Sequence, residues 1–373
     1  MFFQNTFSSN TNTLTVENTL LEFDSNPINK TFDTLFITES NETLNGLSIT
    51  FHAYGKYIPG KTKVVWACHA LTGNSDVFDW WPGLFGENDY FNPKDYFIIC
   101  ANVIGSSYGS TSSDHKDENG NLYLNNFPTV TPRDMARAHE ILRTELGIEQ
   151  IDILIGASLG GQQAVEWAIE QPSVFKQLIL VATNARHSAY GIAYNETQRQ
   201  AIYNDPTYGK GSIDDAKDGL KVARAIAMIS YRSYQGYEIT QTDEDLNKID
   251  DFKASSYQRY QGQKLANRFN AYSYVTLSKA MDAHNVGRNK ESIEAALAQI
   301  TAKTLVIGID SDNLFPVSEQ IYLKEHIKGA KYIAISSAFG HDGFLVEGPK
   351  LKEIIDDFLV NDFRRFSPTT FKR

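Results

Sequence analysis

Cysteine is scarce in this sequence, with only Cys68 and Cys100 among 373 residues. Both lie in apolar runs that are typical of core strands, so we expect two buried free thiols rather than a disulfide between them. No Cys/His cluster has the spacing of a metal site, and no Walker motif or glycine-rich phosphate loop follows the first predicted strand. The sequence therefore predicts neither a metal nor a tightly bound cofactor.

Positive charge is also in deficit. The chain has 35 lysines and arginines against 45 aspartates and glutamates, a formal net charge of −10, and no dense basic run. A protein that binds a phosphate backbone needs a basic patch or stripe. We therefore expect no nucleic-acid partner.

Long hydrophobic runs are absent as well. No segment approaches the ~18 uninterrupted apolar residues of a membrane-spanning helix. The first ten residues, MFFQNTFSSN, have neither a basic start nor a sustained apolar stretch. The sequence predicts no membrane association and a cytoplasmic location.

Apolar material is present in short runs, since 42% of the residues are hydrophobic and 21% are charged. Short apolar runs that alternate with helical patterns indicate parallel strands covered on both faces. We expect an α/β fold with a mostly parallel central sheet and helices on both of its faces. The predicted strands are 63–68, 96–103, 151–155, 177–182, 304–309 and 332–335.

Helical patterns lie between these predicted strands. Thr131 is placed to cap a helix that has Pro132 at its first position and ends near Gly147. Between residues 184 and 302 the strand pattern disappears, which predicts a helical insertion over the carboxyl edge of the sheet, where such sheets bind ligands. The chain then divides into a first part of the core, 1–183, the helical insertion, 184–302, and a second part of the core, 303–373.

The segment Gly156-Ala157-Ser158-Leu159-Gly160 matches the pattern G-x-S-x-G. Predicted strand 151–155 precedes it, and the helical pattern GGQQAVEWAIEQP follows. This is the setting of a sharp strand-to-helix turn that exposes the serine hydroxyl. We expect Ser158 to be a catalytic nucleophile rather than part of an ordinary tight turn.

A serine hydroxyl needs a neighbouring base, and the base needs an anionic partner. In α/β-hydrolases an aspartate or glutamate and then a histidine follow the serine, each after a late strand. His341 follows the last predicted strand and is the expected base, whereas His326 lies in a helical stretch. Strand 304–309 runs into Asp310 and Asp312, and position alone leaves both open as the partner of His341.

Acyl transfer also needs N–H donors that are already oriented toward the developing oxyanion. The backbone N–H of Leu159, directly after the nucleophile, is one expected donor. We expect the N–H of Leu71, in the loop after strand 63–68, to be the second. Ordinary turn chemistry is the alternative for that loop.

Several ordered blocks between about residues 45 and 350 resemble the homoserine O-acetyltransferase family. The blocks are CHALTGNSDVFDWWPGLFG, FIICANVIGSSYGSTS, FPTVTPRDMARAHEIL, GASLGGQQAVEWA, YQRYQGQKLANRFNAYSYVTLSKAMD, LVIGIDSDNLFP and FGHDGFLVE. The family's SD-x-LF pattern implies that Asp312, and not Asp310, is the triad aspartate.

The resemblance also implies a reaction. Ser158 would take an acetyl group from acetyl-CoA, and the acyl-enzyme would pass it to the side-chain hydroxyl of L-homoserine, giving O-acetylhomoserine for methionine synthesis. Arg224 and Asp342 match the residues with which the family holds the amino acid. Family precedent further implies a homodimer formed through the helical insertion.

The sequence supports Arg224 independently of the resemblance. Apolar residues surround it at helical spacing, and an unpaired guanidinium there would be unfavourable. It therefore needs an anion, either a substrate carboxylate or an Asp or Glu of the chain itself.

Two departures from the family pattern bear on substrate choice. Gln162 stands where the family often has methionine, and residues 112–126 (SSDHKDENGNLYLNN) differ from the usual loop, so either change is a candidate to alter the acyl pocket. A succinyl-CoA donor or a serine acceptor stays open. An esterase with the same triad and a non-catalytic binding scaffold are the further alternatives.

Overall fold

A computed structural model describes residues 21–23 and 26–366. Its strands are β1 (Leu21–Phe23), β2 (Ile28–Ile37), β3 (Thr43–Tyr57), β4 (Lys63–Cys68), β5 (Tyr96–Ala101), β6 (Ile151–Ala157), β7 (Phe175–Val181), β8 (Lys303–Ile309) and β9 (Lys331–Ile335). Its α-helices are α1 (Val77–Trp80), α2 (Pro132–Glu145), α3 (Leu159–Glu170), α4 (Ala189–Tyr203), α5 (Lys217–Tyr231), α6 (Tyr234–Gln241), α7 (Lys253–Ala266), α8 (Ala271–Asp282), α9 (Ile293–Leu297), α10 (Val317–His326), α11 (Gly343–Val346) and α12 (Gly348–Asn361).

The strands of the described ranges form one mostly parallel sheet. Its order is β1-β3-β5-β4-β6-β7-β8-β9, and β2 pairs with β3. The six strands from β4 to β9 pair in parallel, whereas β1, β2 and β3 are antiparallel to their neighbours. The predicted α/β architecture is confirmed, and each predicted strand is present within two residues of its expected bounds.

The sequence reasoning missed the three N-terminal strands because they are not continuous apolar runs. In β3 the buried residues Leu47, Ile49, Phe51 and Ala53 alternate with more polar neighbours. This period of two is typical of a strand with one face on the core. Alternation, rather than a search for apolar runs, would have found it.

Two apolar cores lie on opposite faces of the sheet. One packs β4 and β6 against α2, α3 and the helical insertion, and the other packs the alternate strand residues against α12. Cys68 belongs to the first core and Cys100 to the second, so their thiols point to opposite faces and both are free, as predicted.

The predicted caps of α2 are confirmed. The Thr131 side chain accepts a hydrogen bond from the N–H of Asp134, whose carboxylate accepts one from the N–H of Thr131. Gly147, just past the helix, has φ +65°. This reciprocal capping box satisfies two amides that the helix itself leaves unpaired.

Helices α4 to α9 all lie between β7 and β8, as the helical insertion predicts. Its longest helical pattern is broken between Ala266 and Ala271, where the Asn270 side chain accepts from the N–H of Ser273 and starts α8 as a new helix. The segment boundaries at 183 and 303 stay a prediction. No helix within 21–23 and 26–366 is long and apolar enough to cross a membrane.

Candidate active site

Ser158 is the single residue between β6 and α3. Its backbone has φ +56° and ψ −126°, a conformation that side-chain-bearing residues rarely adopt, and its N–H donates to the carbonyl of Val181 at 3.1 Å. Strained geometry of this kind persists only where the surroundings hold it. The predicted sharp turn from strand to helix is therefore present.

The turn requires glycine on both sides of Ser158, because a side chain at either position would collide with the neighbouring backbone. A Cβ on Gly156 would lie 2.1 Å from the carbonyl oxygen of Gly160, and one on Gly160 would lie 2.0 Å from that of Cys68. A Cβ on Gly161 would lie 2.5 Å from the Cβ of Thr183. Helix α3 can thus begin directly against β4 and β6.

His341 and Asp312 meet at the carboxyl edge of the sheet. The Nδ1–H of His341 donates to Oδ2 of Asp312 at 2.6 Å, and the N–H groups of Leu314 and Phe315 donate to Oδ1 at 2.8 and 2.9 Å. Three donors fix the carboxylate, which in turn fixes the tautomer that leaves Nε2 of His341 free to accept a proton.

The structure separates the two aspartates that position alone left open. Asp310 is exposed, and its Oδ1 accepts from the N–H of Ser337 at 3.1 Å. Ser311 donates to the carbonyl of Ser337 and accepts from the N–H of Gly340. Asp310 and Ser311 therefore hold the loop that carries His341, whereas Asp312 contacts the imidazole itself.

The His341 ring is enclosed by aromatic side chains. Phe315 stacks on it at 4.9 Å between centroids and 22° between planes, and Phe344 meets it edge-on at 5.4 Å. Its Nε2 is buried and has no hydrogen-bond partner within the described chain, so Ser158 does not yet donate to it. Such contacts commonly tighten only when substrate is bound.

One cavity of about 480 Å³ joins Ser158, His341 and the loop of Leu71. Leu159 is fully buried beside it as the first residue of α3, and the first amides of a helix have no partner inside the helix. The geometry brings the predicted nucleophile, base and oxyanion loop to one place.

Arg224 lies on α5 and lines the same cavity. Its guanidinium carbon is 5.3 Å from the centroid of the Tyr231 ring, and within residues 21–23 and 26–366 no carboxylate forms an ion pair with it. The buried neighbours Leu220 and Ala223 confirm the apolar surroundings. The alternative of an Asp or Glu partner is thereby removed for the described chain.

Asp342, the other predicted substrate contact, also lines the cavity but is already paired. Its Oδ2 accepts from Nε of Arg232 at 2.8 Å, and the Arg232 guanidinium lies 5.6 Å from the Phe339 ring centroid. A carboxylate has about four acceptor sites, so one ion pair leaves capacity for a ligand cation. No pattern in the sequence pointed to this arginine.

Two further cations at the cavity were not predicted. Lys264, in the last turn of α7, and Arg268, two residues past the end of that helix, both line it and are exposed. Nη1 of Arg268 donates to the carbonyl of Thr72 at 2.7 Å and to the hydroxyl of Tyr108. Their four-residue spacing in a stretch with a helical pattern was the signal available in the sequence.

Neither departure from the family pattern reaches the cavity. Gln162 is fully buried behind it and donates to Oδ1 of Asn184 at 3.0 Å, and no residue of 112–126 is among the described residues that line it. Burial lowers the pKa of the neighbouring His187 to about 4, and His341 nearby acts in the same direction. The expectation that either departure alters the acyl pocket directly is not supported.

Among residues 21–23 and 26–366, no group of three or more His, Cys, Asp or Glu side chains is arranged to hold a metal ion.

Comparisons with known proteins identify the family of the chain. A family model described as alpha/beta hydrolase fold matches residues 63–347. The homoserine O-acetyltransferase of Cyclobacterium marinum is 45% identical over 325 residues, covering 87% of this chain and 92% of the relative.

Solved structures are similar to the chain as well. The homoserine O-acetyltransferase of Staphylococcus aureus is 31% identical with a TM-score of 0.74, covering 89% of this chain and 96% of that one. Esterase E22 has a TM-score of 0.81 over 89% of this chain and 100% of that one, but at 20% identity it shows the fold alone. The chain therefore belongs to the alpha/beta hydrolase fold family and, within it, to the homoserine O-acetyltransferase family.

Proposed function

We propose that the protein transfers an acetyl group from acetyl-CoA to the side-chain hydroxyl of L-homoserine through an acyl-Ser158 intermediate. The observation that carries this proposal is that one cavity holds Ser158 and His341 beside the guanidinium of Arg224, which has no carboxylate partner within residues 21–23 and 26–366. The names of the relatives, homoserine O-acetyltransferase, supply the substrate.

The first half of the reaction is acylation of Ser158. Its Oγ attacks the thioester carbon while Nε2 of His341 takes the hydroxyl proton, and Asp312 stabilises the imidazolium that forms. The N–H groups of Leu71 and Leu159 hold the oxyanion. Collapse of the tetrahedral intermediate breaks the carbon–sulfur bond, and CoA leaves with the proton from His341.

The second half reverses the roles. The homoserine hydroxyl gives its proton to Nε2 of His341 and attacks the acyl carbon, and Ser158 regains a proton as O-acetylhomoserine leaves. CoA leaves before homoserine reacts with the acyl-enzyme, so the mechanism is ping-pong, and the same side chains serve both steps. These groups need no metal or bound cofactor, and acetyl-CoA enters only as co-substrate.

Charge around the cavity suits a zwitterionic acceptor and an anionic donor. Arg224 is placed for a bidentate contact with the homoserine carboxylate, and Asp342 for its ammonium group. Lys264 and Arg268 add positive charge at the end of α7 and in the turn after it, in a chain whose net charge is −10, which favours the phosphates of the donor.

Labelling of the serine tests the nucleophile. A fluorophosphonate should label wild type but not Ser158→Ala, and His341→Ala should lose several orders of magnitude in turnover. Equal labelling of both proteins would refute the assignment of Ser158. Activity of His341→Ala within about tenfold of wild type would refute that of the base.

Donor and acceptor are tested by exchanging them. Acetyl-CoA and succinyl-CoA are each offered with L-homoserine or L-serine, and the product is identified by mass spectrometry. Faster turnover with succinyl-CoA or L-serine would move the assignment to a sister transferase. Rapid ester cleavage that homoserine does not divert would make the protein an esterase, and absence of serine labelling would leave a binding scaffold.

A homodimer through the helical insertion and a cytoplasmic role in methionine synthesis belong to the same proposal. Exposed apolar side chains on and after α5 are available for this contact. They include Val222, Ile229, Tyr234, Leu246 and Ile249. Sedimentation equilibrium should give twice the chain mass, and Ile229→Lys should shift it toward the monomer.

A further inference from the structure

The two predicted oxyanion donors belong to different parts of the fold. Leu71 lies in the loop after β4, whereas Leu159 begins α3. An oxyanion hole lowers the barrier only if its donors are already in place when charge develops. Any side chain that ties this loop to this helix therefore affects catalysis without touching the substrate.

Gln163 is such a side chain. It is fully buried on α3, and its Nε2 donates to the carbonyl of His69 at 3.0 Å and to that of Leu159 at 3.2 Å. His69 directly follows β4, two residues before Leu71. One amide group thus bridges the two elements that supply the oxyanion donors.

The orientation of this amide is determined by its neighbours. The opposite orientation would set Oε1 against two carbonyl oxygens, which are acceptors only. As it stands, Oε1 accepts from Nε2 of His139 at 3.1 Å, and burial lowers the pKa of His139 to about 4, which keeps that ring neutral. All three hydrogen bonds of Gln163 are therefore consistent with one another.

His69 continues the connection to Leu71. Its Nε2 accepts from the N–H of Val103 at 3.0 Å, so Nδ1 carries the proton and donates to the carbonyl of Ala70 at 2.9 Å. The N–H of Gly73 donates to the same carbonyl at 2.9 Å. That carbonyl and the N–H of Leu71 belong to one planar peptide unit, so fixing one fixes the other.

We infer that Gln163 is a positioning residue that sets the spacing of the two oxyanion amides by holding the loop of Leu71 against the first turn of α3. The inference rests on the proposed function only in assigning those amides to the oxyanion. It holds for transfer to homoserine and for ester hydrolysis alike.

The test compares Gln163→Met with Gln162→Met. Both residues are fully buried amides on α3, but the Gln162 side chain donates to Asn184 and not to the carbonyl of His69 or Leu159. We expect kcat of Gln163→Met to fall on the order of 10- to 100-fold, less than the 10²- to 10³-fold of a deleted donor. KM for L-homoserine should stay within about threefold, and Gln162→Met within about threefold of wild type in both constants.

A second variant separates positioning from simple loss of packing. In Gln163→Glu the protonated carboxyl can donate to one carbonyl and accept from His139, whereas the ionised form places charge beside two carbonyl oxygens. Burial and those oxygens raise the pKa of the introduced carboxyl. Activity should therefore survive on the acidic side and fall as the pH rises, adding a descending limb that wild type lacks.

Each result decides the inference. Equal losses of kcat in Gln163→Met and Gln162→Met, or a wild-type pH profile in Gln163→Glu, would overturn it. Failure of the proposed function is distinguishable, because wild type would then cleave p-nitrophenyl acetate without homoserine-dependent transfer. The comparison of variants is then made on ester cleavage, which needs the same two amides.

Discussion

Acidification from about pH 7.5 to about pH 5.5 should lower the free energy of unfolding by about 2.5 kcal/mol through buried ionisable groups. The main source is four histidines that burial keeps neutral in the folded chain. Burial lowers the pKa of His69, His139 and His187 to about 4 and that of His284 to about 3.

The sign follows from proton binding. In the unfolded chain these histidines titrate near pH 6.5 and take up protons across this range, whereas the folded rings do not. Stability that is present above pH 6.5 is therefore lost as the pH falls, by about 1.3 kcal/mol for each ring and about 5 kcal/mol for the four.

Two buried carboxyls act in the opposite direction. Burial raises the pKa of Asp134 to about 6 and that of Glu166 to about 7, although hydrogen bonds and Arg133 oppose the shift. Both are protonated in the folded chain before the unfolded one, which restores about 1 and about 2 kcal/mol as the pH falls. The net loss of about 2.5 kcal/mol is what remains.

Urea denaturation at the two pH values, followed by tryptophan fluorescence, measures this loss. His187→Asn should reduce it by about 1.3 kcal/mol, because one titrating ring is removed. Gln320→Met is the matched control: it removes a buried amide that bonds to the carbonyl of Thr183, and it should lower stability equally at both pH values. A wild-type stability that is unchanged or higher at pH ~5.5, or a His187→Asn loss equal to that of wild type, would refute the reasoning.

Three substitutions test the site more locally. Asp312→Asn should lower kcat about 10⁴-fold by disturbing the imidazole tautomer, whereas Asp310→Asn should stay within about tenfold; comparable losses in steady-state assays would contradict the assignment. Gly160→Ala should lower the free energy of unfolding by about 1–3 kcal/mol or more, because its Cβ would lie 2.0 Å from a carbonyl oxygen. Gly348→Ala is the control and should change this free energy little, because its Cβ would lie no closer than 3.4 Å to any atom of a neighbouring segment. Similar thermal midpoints for the two variants would count against the close approach. Arg224→Leu should raise KM for L-homoserine on the order of 10- to 100-fold and leave the acylation burst with acetyl-CoA unchanged. A burst that falls by the same factor would contradict the assignment of Arg224 to the homoserine carboxylate.

How far the sequence predicted this molecule depended on the range of the interactions involved. The turn at Ser158 could be predicted because its requirements are local: a strand, two glycines and a helix in immediate succession. The parallel strands could be predicted from their continuous apolar runs. Strand β3 has no such run, because only one of its faces is buried along most of its length.

Contacts between distant segments were beyond local patterns. Position in the sequence could not separate Asp310 from Asp312, because both follow β8 and the conformation of the loop determines which carboxylate faces His341. The ion pair of Asp342 and Arg232 joins residues 110 positions apart, and no local spacing pattern predicts it. Gln163 likewise gains its meaning only when α3 packs against the end of β4.

The most direct test of the account is thiol release from acetyl-CoA with and without L-homoserine, with the product identified by mass spectrometry. The account predicts sustained release only when homoserine is present, O-acetylhomoserine as product, and no turnover by Ser158→Ala. Release that is equally fast without homoserine, or turnover that survives in Ser158→Ala, would contradict it.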